Sequence, residues 1–146
     1  LDAADDDLPD LVELRLGREK QLARDHKRLV AKLAVAEAEH LAASDNPVVA
    51  AHWEDRDLYF LQEVGKKLFE IAPGRVALLT VGSKGDGAFL VVAGDASGLD
   101  LGAAGPEICA IHDGRGGGRA PFFQGRAGAI DRREVAVGRL VRDVDA

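Results

Sequence analysis

Glycines and arginines cluster between Gly114 and Ala127. Successive glycines can bring backbone N–H groups together into a concave anion site, and arginine adds forked donors for phosphate. The pattern therefore predicts contact with phosphate groups or nucleotides. The candidate binding residues in and near this stretch are Arg115, Gly116, Gly117, Gly118, Arg119, Gln124, Gly125, Arg126, Arg132 and Arg133.

An architectural role is the alternative for the same stretch. It follows a predicted helix and lacks the Lys-Ser/Thr pair of a phosphate loop, and it does not match the glycine fingerprint of dinucleotide-binding folds. Glycine also occurs where one piece of backbone must pass close to another. From the residues alone, both interpretations stay open.

The charge distribution also points to this end of the chain. The 146-residue chain carries a net charge of -6, yet its last 34 residues hold seven basic and five acidic groups, and every basic group there is arginine. A basic segment is where a phosphate-binding surface is expected. The alternative is an ordinary solvated face, because acids are interleaved with the arginines.

Ligands for a catalytic metal are sparse. None of the four histidines lies four residues from another, and Cys109 with His112 forms only a CxxH pair. A zinc site needs three or four convergent ligands, so we expect no metal site, no cofactor and no catalytic residue in this chain. Cys109 is expected to be a buried helix residue. The acids near Asp57 are expected to cap a helix start rather than hold a metal.

The first element predicted along the chain is a long helix. Residues from Leu8 to about Ala43 are helix formers, and Ser44 to Pro47 ends the run. Leu8, Leu22 and Leu29 follow a seven-residue spacing, with interruptions by basic residues. A second copy of the chain or another helix could cover this apolar stripe. Residues 1–46 are therefore predicted to form a long helix that acts as a linker or a coiled-coil-like segment.

Residues 47–146 are predicted to form a small α/β (α+β) domain with a mixed sheet covered by helices. Hydrophobic periodicity assigns the helices and strands of this domain, and two of its short apolar segments begin at Val48 and Pro121. The predicted order is strand 48–53, helix 57–72, strands 75–81 and 88–93, a helix over 99–112 or only 106–112, a glycine-rich loop, an apolar bend at 121–123 and a helix over 131–144.

Compartment and membrane association follow from simpler features. The acidic opening is unlike a signal peptide, and no apolar run approaches the roughly 20 residues that a membrane-spanning helix needs. The single cysteine fits a reducing compartment. A cytoplasmic protein without membrane contact is expected.

The chain also resembles a known family. The glycine-rich turn with arginine, followed by Phe122-Phe123-Gln124-Gly125-Arg126, resembles the signature of the DHHA1-type domain at the C-terminus of alanyl-tRNA synthetases and of the alanyl-tRNA editing proteins known as the AlaX group. The segments 52–61, 78–82 and 89–94 are similar to the body of that domain, and the long helix resembles its helical linker. The segment 122–127 is most similar to editing proteins of the eukaryotic type.

The resemblance implies a tRNA-binding module with alanine tRNA as its partner. The zinc-dependent deacylase domain of the editing proteins would lie outside this chain, and the full-length relative would be an aminoacyl-tRNA deacylase or an alanine-tRNA ligase. A C-terminal domain of an alanyl-tRNA synthetase is the alternative, and so is a homo-oligomerisation module that pairs through the long helix. In the related phosphoesterases a histidine follows the glycines, where this chain has Arg119, so that activity is not expected.

Overall fold

A long helix opens the chain. The computed structural model describes residues 2–145, with side chains for residues 13–144. Helix α1 spans Asp2–Ala42, so it begins before the predicted start at Leu8. The chain divides into two units, Leu1–Leu33 and Ala34–Ala146. The predicted domain boundary at residue 46 lies just after α1 and stays a prediction.

The first unit is the N-terminal part of α1 and carries an exposed apolar stripe. Leu14, Leu22 and Leu29 are 60%, 68% and 60% exposed. Leu22 and Leu29 lie seven residues apart and hence on nearly the same side of the helix. The side chain of Leu8, which belongs to the predicted stripe, is outside the described residues. This exposed surface is what the prediction of a paired helix requires.

The second unit contains a five-stranded sheet with the strand order β1-β2-β3-β5-β4. Strands β1 and β2 are parallel and all other neighbouring pairs are antiparallel, which confirms the predicted mixed sheet and the α+β class. The elements in chain order are β1 (Val48–Trp53), α2 (Leu58–Ile71), β2 (Val76–Ser83), β3 (Asp86–Val92), α3 (Leu101–Ile111), β4 (Gly116–Arg119), β5 (Phe122–Ala127) and α4 (Arg133–Asp145).

Helices cover both faces of this sheet. Side chains alternate between the two faces of a strand, so Leu78 and Val91 point into the core formed with α3 and α4, whereas Leu79 and Leu90 lie on the α2 side. Leu61 and Leu68 of α2 are fully buried against that second side. Strands apolar on both faces are the physical reason that the sheet needs helices on both sides.

Local caps fix the ends of the helices. The guanidinium of Arg75 donates to the backbone oxygen of Ala42, the last residue of α1, at 3.1 Å and to that of Asn46, just beyond the helix, at 2.8 Å. At the start of α2, the backbone N–H of Phe60 donates to the Asp57 carboxylate at 3.0 Å. The predicted capping role of the acid cluster is confirmed at Asp57.

The shorter of the two ranges predicted for helix α3, 106–112, is wrong. The helix begins at Leu101, five residues before Pro106. Asp100 supplies the N-cap by accepting from the backbone N–H of Ala103 at 3.3 Å, and Leu101 and Ile108 are buried. A strong cap and a buried apolar face outweigh the hydrogen bond that proline removes inside the helix.

The predicted glycine-rich loop is wrong, because residues 116–119 form strand β4. The predicted bend at 121–123 is confirmed at Pro121, which lies in the turn between β4 and β5 after a cis peptide bond, but it is wrong at Phe122 and Phe123, which are extended in β5. Glycine has a low intrinsic preference for strands, and so the sequence predicts a loop. The backbone ladder with β5 overrides that preference.

Candidate nucleic-acid interface

Three of the predicted arginines lie on one side of the β4–β5 pair. Arg119 pairs with Phe122, and the backbone N–H of Arg126 donates to the carbonyl of Arg115 at 2.8 Å. Residues directly opposite in an antiparallel pair share a face, and residues two apart along a strand do too. Arg115, Arg119 and Arg126 therefore lie on the α2 side, and all three are exposed. We call these three residues the arginine ledge.

The arginine ledge is free of acidic partners. The salt bridges within residues 13–144 involve Lys66, Lys67 and Arg139, and none involves a ledge arginine. An arginine without an acidic neighbour keeps its forked donors available for an external anion. The ledge therefore presents three such groups on one strand pair.

The glycines build the strand pair that carries the ledge. A side chain at Gly116 or Gly125 would collide with the backbone of the opposite strand, and Gly118 has a φ of +143°. Successive N–H groups of a strand point in opposite directions, so these glycines do not form the concave site that the sequence predicted. Gly117 differs from the others, because a Cβ there would meet nothing within 4 Å.

The remaining predicted arginines lie elsewhere. Arg133 begins α4, which packs against the sheet face opposite α2. Arg132 directly precedes α4, and its guanidinium donates to the Ile111 carbonyl at 3.4 Å. Arg139 of the same helix is held by Glu107 and Asp143, which raises the pKa of its guanidinium. The structure thus does not bring Arg132 and Arg133 together with the ledge.

A small cleft lies beside the ledge, on the α2 side. It has a volume of about 240 Å³, and its lining is Gln62, Lys66, Leu90, Phe122 and Gln124. The Gln62 amide donates to the Gln124 side-chain oxygen at 3.0 Å, which joins α2 to β5. Sequence reasoning identified Gln124 but missed Gln62 and Lys66. Their four-residue spacing on an amphipathic helix was the available signal, but it did not indicate which strand they face.

A second cleft of about 340 Å³ lies on the α4 side, next to His52 and Arg133. The Thr80 hydroxyl donates to the Ala51 carbonyl at 3.2 Å, so the Nδ1–H of His52 donates to Thr80 Oγ1 at 2.9 Å. This leaves His52 Nε2 as an acceptor. Burial first, and the nearby Arg133 charge second, lower the pKa of His52.

Cys109 and His112, which form the CxxH pair, differ in how deeply they are buried. His112 is fully buried, and its Nδ1–H donates to the Ala129 carbonyl at 2.9 Å, while Nε2 has no partner. Burial lowers the pKa of His112. Cys109 is only partly buried, which corrects the expectation of a buried residue, and burial raises the pKa of its thiol. Among the side chains of residues 13–144, no three His, Cys, Asp or Glu residues lie together as metal ligands would.

The fold is similar to a domain of alanyl-tRNA synthetase. No protein-family model matches the chain, and no curated protein matches it. Among solved structures, it is similar to the C-Ala domain from Aquifex aeolicus alanyl-tRNA synthetase, with a TM-score of 0.62 and 19% sequence identity. The match covers 70% of this chain and 95% of that domain. At this identity the match establishes a shared fold.

The predicted resemblance named alanyl-tRNA synthetases and alanyl-tRNA editing proteins, and the fold match is to a domain of the synthetase. The predicted link to the editing proteins stays a prediction. No helix within residues 2–145 combines the length and the hydrophobicity needed to cross a lipid bilayer.

Proposed function

We propose that this chain is a tRNA-binding module, and that it serves as the C-terminal domain of an alanyl-tRNA synthetase. Alanine tRNA is the proposed partner, the cytoplasm is the proposed compartment, and the chain itself supplies no catalytic residue. The fold similarity to the C-Ala domain supports the assignment to a synthetase. A domain of this kind would add binding energy for tRNA at a distance from the reacting groups.

The observation that carries this proposal is the arginine ledge. It offers three exposed guanidinium groups without acidic partners on one strand pair, although the chain as a whole is acidic. A local basic surface on an acidic protein concentrates phosphate binding at one place. Arg119 and Arg126 are expected to contact phosphates of the tRNA backbone.

The test is binding of labelled alanine tRNA at about 50 and 200 mM salt. Arg119→Ala and Arg126→Ala should each weaken binding by roughly 1 to 3 kcal/mol, because each removes a charge-assisted hydrogen bond. Both changes should also flatten the dependence of affinity on salt. Arg142→Ala is the matched control, since Arg142 is an exposed arginine on α4. Unchanged affinity in both ledge variants would contradict the proposal.

The C-terminal module of an alanyl-tRNA editing protein is a second candidate. The sequence Phe122-Phe123-Gln124-Gly125-Arg126 favours it, because this segment resembles the editing proteins of the eukaryotic type. An assay of the full-length protein separates the two candidates. ATP-dependent charging of tRNA with alanine would indicate a synthetase, whereas hydrolysis of mischarged alanine tRNA without charging would indicate an editing protein.

Homo-oligomerisation through α1 is a third candidate, supported by the exposed stripe of Leu14, Leu22 and Leu29. If the stripe pairs two chains, Leu22→Asp and Leu29→Asp should each dissociate the oligomer, because they place a charge in an apolar interface. Arg18→Ala is the control on the same helix and should leave assembly unchanged. Sedimentation that finds identical assembly for all three variants would remove this candidate.

A further inference from the structure

The cleft between α2 and β5 combines an aromatic ring, two amides and a cation in a small space. Its volume of about 240 Å³ is below the roughly 300 to 1,000 Å³ of pockets that hold drug-sized ligands. A single planar ring system is therefore a better match for it than a whole nucleotide. The ring of Phe122 is half-buried and meets Phe69 edge-to-face at 6.0 Å between centroids, which holds it in place.

The two amides leave unused hydrogen-bonding groups beside each other. Gln62 uses one amide hydrogen to donate to Gln124 Oε1 at 3.0 Å. Gln62 Oε1 is then a free acceptor, and the Gln124 amide nitrogen is a free donor. A donor next to an acceptor is what each nucleobase presents on its pairing edge, and an unpaired base uses that edge to bind protein.

The residues around the cleft suit a nucleotide whose base lies in the cleft and whose phosphates contact the ledge. Lys66 lines the cleft and is exposed, and Arg119 is the cross-strand partner of Phe122. Gly117 is the cross-strand partner of Gln124, and the space above it is open. A flat group can therefore approach Gln124 over Gly117 without meeting a side chain.

We infer that this cleft binds one unpaired nucleobase, with Phe122 against the ring and the Gln62–Gln124 amide pair on its pairing edge. This inference rests on the proposed RNA-binding function and deepens it. The ledge binds phosphates of any RNA, whereas the cleft selects a single-stranded base, because pairing edges inside a duplex are occupied.

The experiment compares two labelled RNA probes of about ten nucleotides, a single strand and a blunt duplex, by fluorescence anisotropy. Changing Gln62→Ala together with Gln124→Ala should lower affinity for the single strand about tenfold and change affinity for the duplex less than about twofold. Arg119→Ala should lower both affinities. Gly117→Ala is a second variant, whose added methyl meets open space in the protein but narrows the approach to Gln124.

Gly138→Ala is the control for Gly117→Ala, since a Cβ there also meets nothing within 4 Å and the residue lies on α4. We expect Gly117→Ala, but not Gly138→Ala, to weaken single-strand binding with no change in melting temperature. Equal effects of the glutamine changes on both probes, or no effect on either, would overturn the inference while leaving the ledge intact. A wild-type protein that binds neither probe would overturn the proposed function as well.

Discussion

The two faces of the sheet use arginine in different ways. On the α2 side, Arg115, Arg119 and Arg126 are exposed and have no acidic partner among the described residues. On the α4 side, Arg139 is held by two carboxylates, and Arg133 is half-buried near His52. The number of arginines in a segment therefore does not locate an interface. Their partners and their side of the sheet do.

The faces also differ in their titratable groups. The α4 side contains both histidines with a lowered pKa, His52 and His112, whereas the ledge contains only arginine. We therefore expect pH-dependent stability to arise from the α4 side and salt-dependent RNA binding to depend on the ledge.

The largest expected effect is on the strands below the ledge. Gly125→Val should lower the free energy of unfolding by about 3 kcal/mol, because its side chain would collide with the backbone of β4. Gly117→Val should lower the free energy of unfolding far less, since a Cβ at Gly117 meets nothing within 4 Å. Chemical denaturation of the two variants measures the difference. Equal losses would show that the close approach of the strands is not what requires glycine.

A smaller effect is expected from pH, on the opposite face. His52 and His112 have lowered pKa values in the folded state, so the unfolded chain binds more protons once the pH falls below about 6.5. Stability should thus be complete above that pH and decline as the pH falls, by up to about 1.4 kcal/mol per pH unit for each histidine. Denaturation between about pH 7.5 and 5.5 tests this.

His112→Asn is the variant that isolates the buried histidine in that experiment. Its stability should depend less on pH than that of the wild type, because the buried titrating group is gone. RNA affinity of the folded wild type should stay nearly constant over the same range, since the ledge contains only arginine. A pH dependence unchanged by the substitution would assign the effect to other groups.

The smallest effect is expected from Arg132→Ala. Arg132 lies at the start of α4 and donates to the Ile111 carbonyl at 3.4 Å, away from the ledge. Its removal should change tRNA affinity by less than about twofold, in contrast to Arg119→Ala. Filter binding of both variants at the same low salt concentration provides the measurement. A loss as large as that of Arg119→Ala would mean that RNA contacts both faces of the sheet.

Most of the elements could be predicted because their periodicity is strong. The apolar runs near Val48, Leu78 and Val91 predict strands, and Asp57 before an amphipathic segment predicts the start of α2; the structure contains all of them. Strand β4 could not be predicted in this way. Four residues, of which three are glycine, carry no hydrophobic pattern, and only the pairing with β5 makes them extended.

The sequence predicts the kind of group that the candidate site could bind, but not all of the residues that form the site. The sequence indicates that Arg119 and Arg126 belong to a basic segment and that Gln124 is close to them. It does not indicate that Gln62, sixty-two residues earlier, lies within 3.0 Å of Gln124. Contacts between residues so distant in sequence depend on the packing of α2 against the sheet.

The sequence alone predicts most of the helices and strands and the groups that can bind an anion, because propensity and side-chain chemistry are local properties; strand β4 is the exception. The tertiary structure decided the side of the sheet on which each group lies. A shift of one residue in the β4–β5 register would move the side chains of one strand to the opposite face. The pairing of Gly117 with Gln124 places Arg115, Arg119 and Arg126 on the α2 side of the sheet. Arg132 and Arg133 lie at the beginning of α4, which packs against the opposite face.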